Sequence, residues 1–406
     1  MLIANRWFLR SLLICIHALG VFGILASSSG GSGGNAGGFA CGLSVQGIAP
    51  VGDGTVWVGV FAKTNTGTED RVVLLDTDGS ELISYFIGAG GSENAIRAVA
   101  RAVDGSNDIY IGGDFSGGIL RLDDNGMLDV GFSVGTGFNG RVTSIVPLAS
   151  GEVYVGGYFT EFGSAPINPV SGLVRLNVDG SWDNLEFVTT GVTNVESVAL
   201  ATDGLLAGFV YSGGSGLSPL ARWNTGGGLD INFISALDPV LSVIAAEDTS
   251  GDIYVGGSFT NSIVRLTDTG TTEPGFAVGT GFDDDVLSID LAVTGGIYVG
   301  GSFTTYNADN SNGIVRIDSD GTRDGAFMVG SGFTDLDGIF PSSKVVNVVE
   351  DVSLDVFVGG GFTQYNGIAS NGIVRLDPDG TLDAAFDVSI TIDGEVCDSQ
   401  TIPDQP

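Results

Sequence analysis

From Val45 onward, short apolar runs alternate with turn-forming residues, and the alternation recurs. The stretch GIYVGGSFTTYNADNSNGIVRIDSDGTRDGAF, Gly296 to Phe327, has recognisable versions seven times between Val45 and the C-terminus. Aligned on their first strand, the units start at Val45, Ile96, Val142, Val195, Val240, Val286 and Val345. That spacing is the period range of solenoids and propellers. Each unit holds four short β-signals separated by turn residues, and none contains a ten-residue run of helical periodicity. In the third unit the signals are VTSIVPLA, EVYVGGYF, GLVRLN and a segment around Phe187. Four strands per repeat is the blade of a β-propeller, and seven blades close a ring. The expected fold is therefore all-β, a single seven-bladed β-propeller of four-stranded blades. The alternative is a β-solenoid, whose coils are usually shorter and which would need a terminal cap.

The turn between the third and fourth strands is well specified. Asp377-Pro378-Asp379-Gly380 carries type I turn chemistry, with glycine free to take positive φ; Asp76 to Gly79 and Asp318 to Gly321 are equivalent. A hairpin centred there sets Arg375 opposite Asp383, Arg121 opposite Asp129 and Arg316 opposite Asp324. Arg222 with Asp230, Arg175 with Asp183 and Arg265 with Glu273 follow the same construction. The first unit has Leu74 and Ile83 instead, an apolar pair replacing both ionic partners. Cross-strand pairing accounts for these arginines better than a ring for an anionic ligand. Each exposed pair would contribute under about 1 kcal/mol.

The Gly-Gly pairs (Gly112-Gly113, Gly156-Gly157, Gly256-Gly257, Gly300-Gly301, Gly359-Gly360) lie inside the second strand and mark a bulge or a close approach between blades. A phosphate loop is rejected, because no helix and no Lys-Ser/Thr follow. The aromatics before the pairs and the Phe after them read as core between blades. The fourth unit, LLAGFVYSGG, has lost most of the pattern and should be the least regular.

These residues, above all IYVGGSFT, GIVRLD-x-DGTLD and the following Phe, resemble the delta-sixty repeat of bacterial secreted and cell-surface proteins, a β-propeller family. The resemblance runs from about Val45 to Ser389, strongest in units two, three, five, six and seven. It implies an extracellular or envelope location and transfers no reaction or ligand.

The chain begins with Arg6 and Arg10, an apolar run from Ser11 to Ala26 and the small residues Ala26-Ser27-Ser28, the layout of a signal peptide over 1–28. Residues 29–41 read as a flexible Gly/Ser leader, 42–397 as the propeller and 398–406 as a disordered tail. The expected location is secreted, periplasmic or cell-surface, with no membrane span after cleavage. Cys41 and Cys397 reach the seam of the ring from opposite ends, so a Cys41–Cys397 disulfide is expected in that oxidising compartment.

The formal net charge of −33 excludes nucleic acid as a partner, since no basic patch is available. The only histidine, His17, lies in the signal, so Ser-His, Cys-His and His-metal chemistries are excluded from the mature chain. The Asp-x-Asp-Gly turns fail as EF-hand loops, with glycine at the wrong position and no acid at the twelfth. Asp283-Asp284-Asp285 and Asp335 with Asp337 could hold calcium weakly, but solvated loops explain them better. The loops after the second strand vary most in length, and Tyr306, Asn307, Asp309, Tyr365 and Asn366 are the candidate binding residues there. No catalytic, cofactor or metal residues are assigned. The expected function is a non-enzymatic, monomeric scaffold that binds an extracellular protein or polysaccharide. The alternative is a calcium-dependent hydrolase or lactonase of propeller type, with carboxylates converging at the central channel.

Overall fold

A computed structural model describes residues 42–398, apart from 64–67, 89–95, 164–167, 184–193, 202–203, 211–218, 225, 234, 236, 247, 249, 335–343, 371 and 393–394. The chain divides into 1–38 and 39–406, and every described residue belongs to the second unit. Among the described residues all regular structure is β, and no helix is long and apolar enough to cross a membrane. The expected signal segment, Cys41, Asp335, Asp337 and Phe187 lie outside the described residues, as does the side chain of Cys397.

Seven antiparallel sheets follow one another along the chain, one per repeat. Their first strands are Gly42–Pro50, Ile96–Arg101, Val142–Pro147, Val195–Ala201, Val240–Ala245, Val286–Leu291 and Lys344–Glu350. Each lies beside the first strand of the next sheet, and the seventh lies beside the first. A solenoid has no such return contact.

The second strands explain how the sheets come this close. They are buried on both faces, as IYVGG in the fifth and sixth sheets shows. A Cβ on Gly300 would sit 2.6 Å from Val345 and 2.6 Å from Val348 of the next sheet. A Cβ on Gly359 would sit 2.6 Å from Val45 and 2.8 Å from Ile48 of the first sheet. Only a residue without a side chain admits the neighbour's valine at that distance. Opposite the glycines each first strand carries a register shift, between Val142 and Ser144 in the third sheet and at matching places in all seven. Bulge and close approach thus both occur.

In the third to sixth sheets a serine follows the bulge and makes a second link between sheets. Ser144 Oγ accepts from the Val198 amide (3.0 Å), Ser197 from Val243 (3.2 Å), Ser242 from Ile289 (3.2 Å) and Ser288 from Val348 (3.1 Å). A short hydroxyl inside the ring therefore satisfies a backbone donor that no strand partner reaches.

The four-stranded expectation is corrected. Among the described residues only the first sheet has four strands, ending in Glu81–Gly88. In the other six the fourth strand is one bridge: Leu122 with Leu128, Leu176 with Trp182, Trp223 with Leu229, Leu266 with Thr272, Ile317 with Arg323 and Leu376 with Leu382. The acid just beyond the bridge is the cause. Asp129 Oδ1 accepts from the Gly131 amide (2.7 Å), Asp324 from Ala326 (2.8 Å) and Asp383 from Ala385 (2.8 Å), and each curls the chain out of the extended form. Ile83 holds this place in the first repeat and has no such oxygen. It pairs with Leu74, and the strand runs on.

The fourth sheet also departs from expectation. Its strands Val195–Ala201, Gly204–Phe209 and Leu220–Asn224 are as regular as their siblings, with Trp223 fully buried. The lost consensus falls largely at 211–218, beyond the described residues.

Candidate functional site

The repeated arginines are held inside the scaffold. Arg121 Nη2 lies 2.5 Å from Asp129, Arg316 Nη1 2.6 Å from Asp324, Arg375 Nη2 2.5 Å from Asp383 and Arg222 Nη2 2.6 Å from Asp230. Arg175 pairs with Asp183. The guanidiniums also sit over ring faces, Arg121 at 5.1 Å from Phe132 and Arg375 at 5.0 Å from Phe386. Arg265 is a correction: it pairs with Asp252 (2.9 Å) and Asp248, while Glu273 closes the turn through the Gly275 amide (3.0 Å). Asp252 belongs to a set the sequence reading missed. Arg121 is 3.3 Å from Asp108 and Arg375 3.8 Å from Asp355, each an acid directly before the second strand. The signal was present as Asp-Ile-Tyr or Asp-Val-Phe ahead of the glycines.

Of the loop residues expected to bind, the two tyrosines turn inward. Tyr306 and Tyr365 are wholly buried, packed on Phe282 and Phe333 at ring separations of 4.6 and 4.7 Å. Tyr365 donates to the Gly380 carbonyl (2.6 Å) and Tyr306 to that of Gly321. The short pairs Thr305–Tyr306 with Asp309–Asn310, and Gln364–Tyr365 with Ile368–Ala369, fold each loop back so that its tyrosine faces the core. Asn307 accepts from the Thr280 amide (2.8 Å) and Asn366 from the Gly332 amide (3.0 Å), pinning the adjoining loops. Asp309 alone of the five is exposed. Asp283 likewise caps a loop, accepting from the Thr304 and Thr305 amides, both at 2.8 Å.

What differs between copies is the residue after the first valine of each first strand. Gln46, Arg97, Thr143 and Glu196 occupy it in the first four sheets, and Leu241, Leu287 and Val346 in the last three; all are half-buried. Sheets two to four bring a polar group together there. Arg97 donates to Asp114 Oδ2 through Nε (3.2 Å) and Nη2 (3.0 Å). Thr143 donates to the Val195 carbonyl (2.6 Å). The Tyr158 hydroxyl donates to Glu196 Oε1, and the Arg141 guanidinium carbon lies over the Tyr158 ring, 3.8 Å from its centre.

Burial raises the Glu196 carboxyl above its ordinary value, while the Tyr158 hydroxyl and the charges of Arg141 and Arg97 pull it partly back. Burial, then the Glu196 carboxylate, pushes the Tyr158 phenol up to about 12. Tyr158 therefore stays a neutral donor at pH 7. Arg141 Nε is buried without a hydrogen-bond partner. Sequence reading passed over this group because its members come from three repeats at positions that look like ordinary strand variation. Among the described residues no three Asp, Glu, His or Cys side chains gather as a metal site.

Residues 148–185, 294–327 and 356–386 match the family described as domain of unknown function (DUF5122) beta-propeller. No curated protein matches the sequence. Among solved structures, Sqt1 from Chaetomium thermophilum is similar over 83% of this chain and 82% of its own, at 14% identity and a TM-score of 0.50. A streptogramin B lyase structure is similar over 78% of this chain and 90% of its own, at 14% identity and a TM-score of 0.49. A protein of unknown function from Bacteroides thetaiotaomicron is similar over 84% and 70%, at 14% identity and 0.43. At such identity, likeness speaks to fold alone.

Proposed function

We propose that this β-propeller chain is a closed ring of seven blades, a delta-sixty repeat protein exported by its residues 1–28, and that it works outside the cytoplasm as a monomeric, non-enzymatic scaffold binding protein or carbohydrate. One observation carries the reading. The charged and polar residues that recur among the repeats are consumed in ion pairs within sheets, in turns and in links between sheets, whereas the polar residues at the start of the first strands in blades one to four are particular to their blades. A scaffold keeps its repeats alike and varies its contact surface.

The test is calorimetry of the mature protein with and without millimolar calcium, paired with an ester and lactone hydrolysis assay. The scaffold reading expects an unchanged Tm and no turnover. A calcium-dependent rise in Tm together with turnover overturns it in favour of a metal-dependent hydrolase.

A further inference from the structure

We propose that the cluster Arg97, Asp114, Arg141, Tyr158 and Glu196 binds a singly anionic, hydroxyl-rich ligand: the carboxylated sugar at the end of a glycan. The inference rests on the binding-scaffold reading and names its ligand class.

Arg141 sets the charge of the ligand. Three described arginines lack a carboxylate within ion-pair distance. Of these, Arg101 donates to Asn107 and Arg323 to the Asn310 carbonyl (3.0 Å). Arg141 donates to no carboxylate or carbonyl among the described residues, and its Nε is buried without a partner. It is held by the face of Tyr158, whose hydroxyl is in turn held by Glu196. In a chain of net charge −33, rich in carboxylates, a guanidinium oriented by Tyr158 and without a carboxylate partner among the described residues is a preformed half of a carboxylate fork.

The acceptors around it set the rest. Both Arg97 bonds go to Asp114 Oδ2, which leaves Oδ1 to take a donor. Glu196 receives Tyr158 on Oε1 and has a second oxygen, and it lies close enough to Arg97 and Arg141 for both charges to favour its ionised form. A carboxylate flanked by hydroxyls meets all three needs at once, accepting from Arg141 and donating to Asp114 and Glu196. The C-terminus of a peptide offers the carboxylate without the hydroxyls. A polyanion is disfavoured because the net charge of the whole chain repels it.

The test is titration of the mature protein, followed by saturation-transfer NMR and calorimetry, with D-glucuronate, D-glucose and N-acetylglycine. Glucuronate should bind at least tenfold more tightly than either other probe, and more weakly as salt is raised. Arg141→Gln should reduce that affinity tenfold or more with an unchanged circular dichroism spectrum, and Glu196→Gln should weaken it. Arg141→Lys, which keeps the charge and loses the fork, should restore it only in part and serves should the glutamine variant not fold. Equal binding of glucuronate and glucose, no binding of glucuronate, or full binding by both Arg141 variants overturns the proposal. Tighter binding of N-acetylglycine replaces it with recognition of a peptide terminus. None of these outcomes brings calcium-dependent turnover, which alone would remove the scaffold reading beneath.

Discussion

The Asp387 amide donates to the Asp78 carbonyl at 2.9 Å, tying the end of the last repeat to the hairpin turn of the first. The same bond recurs within the chain: Ser133 to Asp179, Ala277 to Asp320 and Met328 to Asp379, each at 2.8 Å. In every case the residue after the conserved Phe reaches the third residue of the next sheet's turn. The glycine that follows in that turn is where the two backbones meet. A Cβ on Gly79 would lie 2.7 Å from the Asp387 carbonyl, and one on Gly380 2.9 Å from that of Met328.

Gly380→Ala should therefore cost more than the strain of a positive φ (84°). We expect about 2–4 kcal/mol, combining strain with a displaced neighbouring strand. Gly367→Ala is the control, since it has a similar φ (75°) and open space around the Cβ position, and it should cost about 1 kcal/mol. Denaturant unfolding of both variants checks the difference. Equal losses would mean that the turn alone requires the glycine.

The arginine pairs predict a non-additive result. Removing one partner leaves a half-buried charge, so Arg375→Leu or Asp383→Ile alone should cost about 2–3 kcal/mol. The double variant reproduces the Leu74–Ile83 pair of the first repeat and should recover at least half of that loss. Simple addition of the two losses in a double-mutant cycle would contradict the pairing account.

Ser242→Ala should cost about 1–2 kcal/mol, because the Ile289 amide loses its acceptor in a buried setting. Ser250→Ala, on an exposed turn, should cost less than about 0.5 kcal/mol. Thermal unfolding monitored by circular dichroism distinguishes them.

Asp230 gives a pH signature. The Arg222 hydrogen bond, then the Asn232 amide, hold its carboxyl below the ordinary value. The folded state thus binds its proton less readily than the unfolded chain, so its contribution is complete above the unfolded value of about 4 and is lost as pH falls through the lower folded value. The gap in Tm between wild type and Asp230→Asn should be widest near pH 6 and should narrow below about pH 4. A gap that stays constant down to pH 3 would contradict this.

Much of the fold was legible because the repeat states it seven times. The positions of Val45 to Val345, the Gly-Gly approach and the turn glycines are all consequences of backbone geometry that sequence spacing encodes directly. The length of the fourth strand was not legible. Its fate depends on whether one residue beyond the bridge carries an oxygen that can reach an amide two places on, as Asp129 does and Ile83 cannot. The tyrosines were misread for a related reason. A loop rich in Asn and Tyr looks exposed until the register of Tyr306 with Asp309 turns the ring under Phe282. The Arg141, Tyr158 and Glu196 group lies further still from sequence, since its members are separated by up to a whole repeat and meet only when neighbouring sheets pack.

The close approach of Gly359 to Val45 and the bond from Asp387 to Asp78 join the seventh sheet to the first. Hydrogen exchange of the Asp387 amide tests that closure most directly. A closed ring predicts protection equal to that of Ala277 and Met328, which make the same bond between consecutive sheets. Exchange of Asp387 at the rate of an exposed amide, with Ala277 and Met328 still protected, would contradict it.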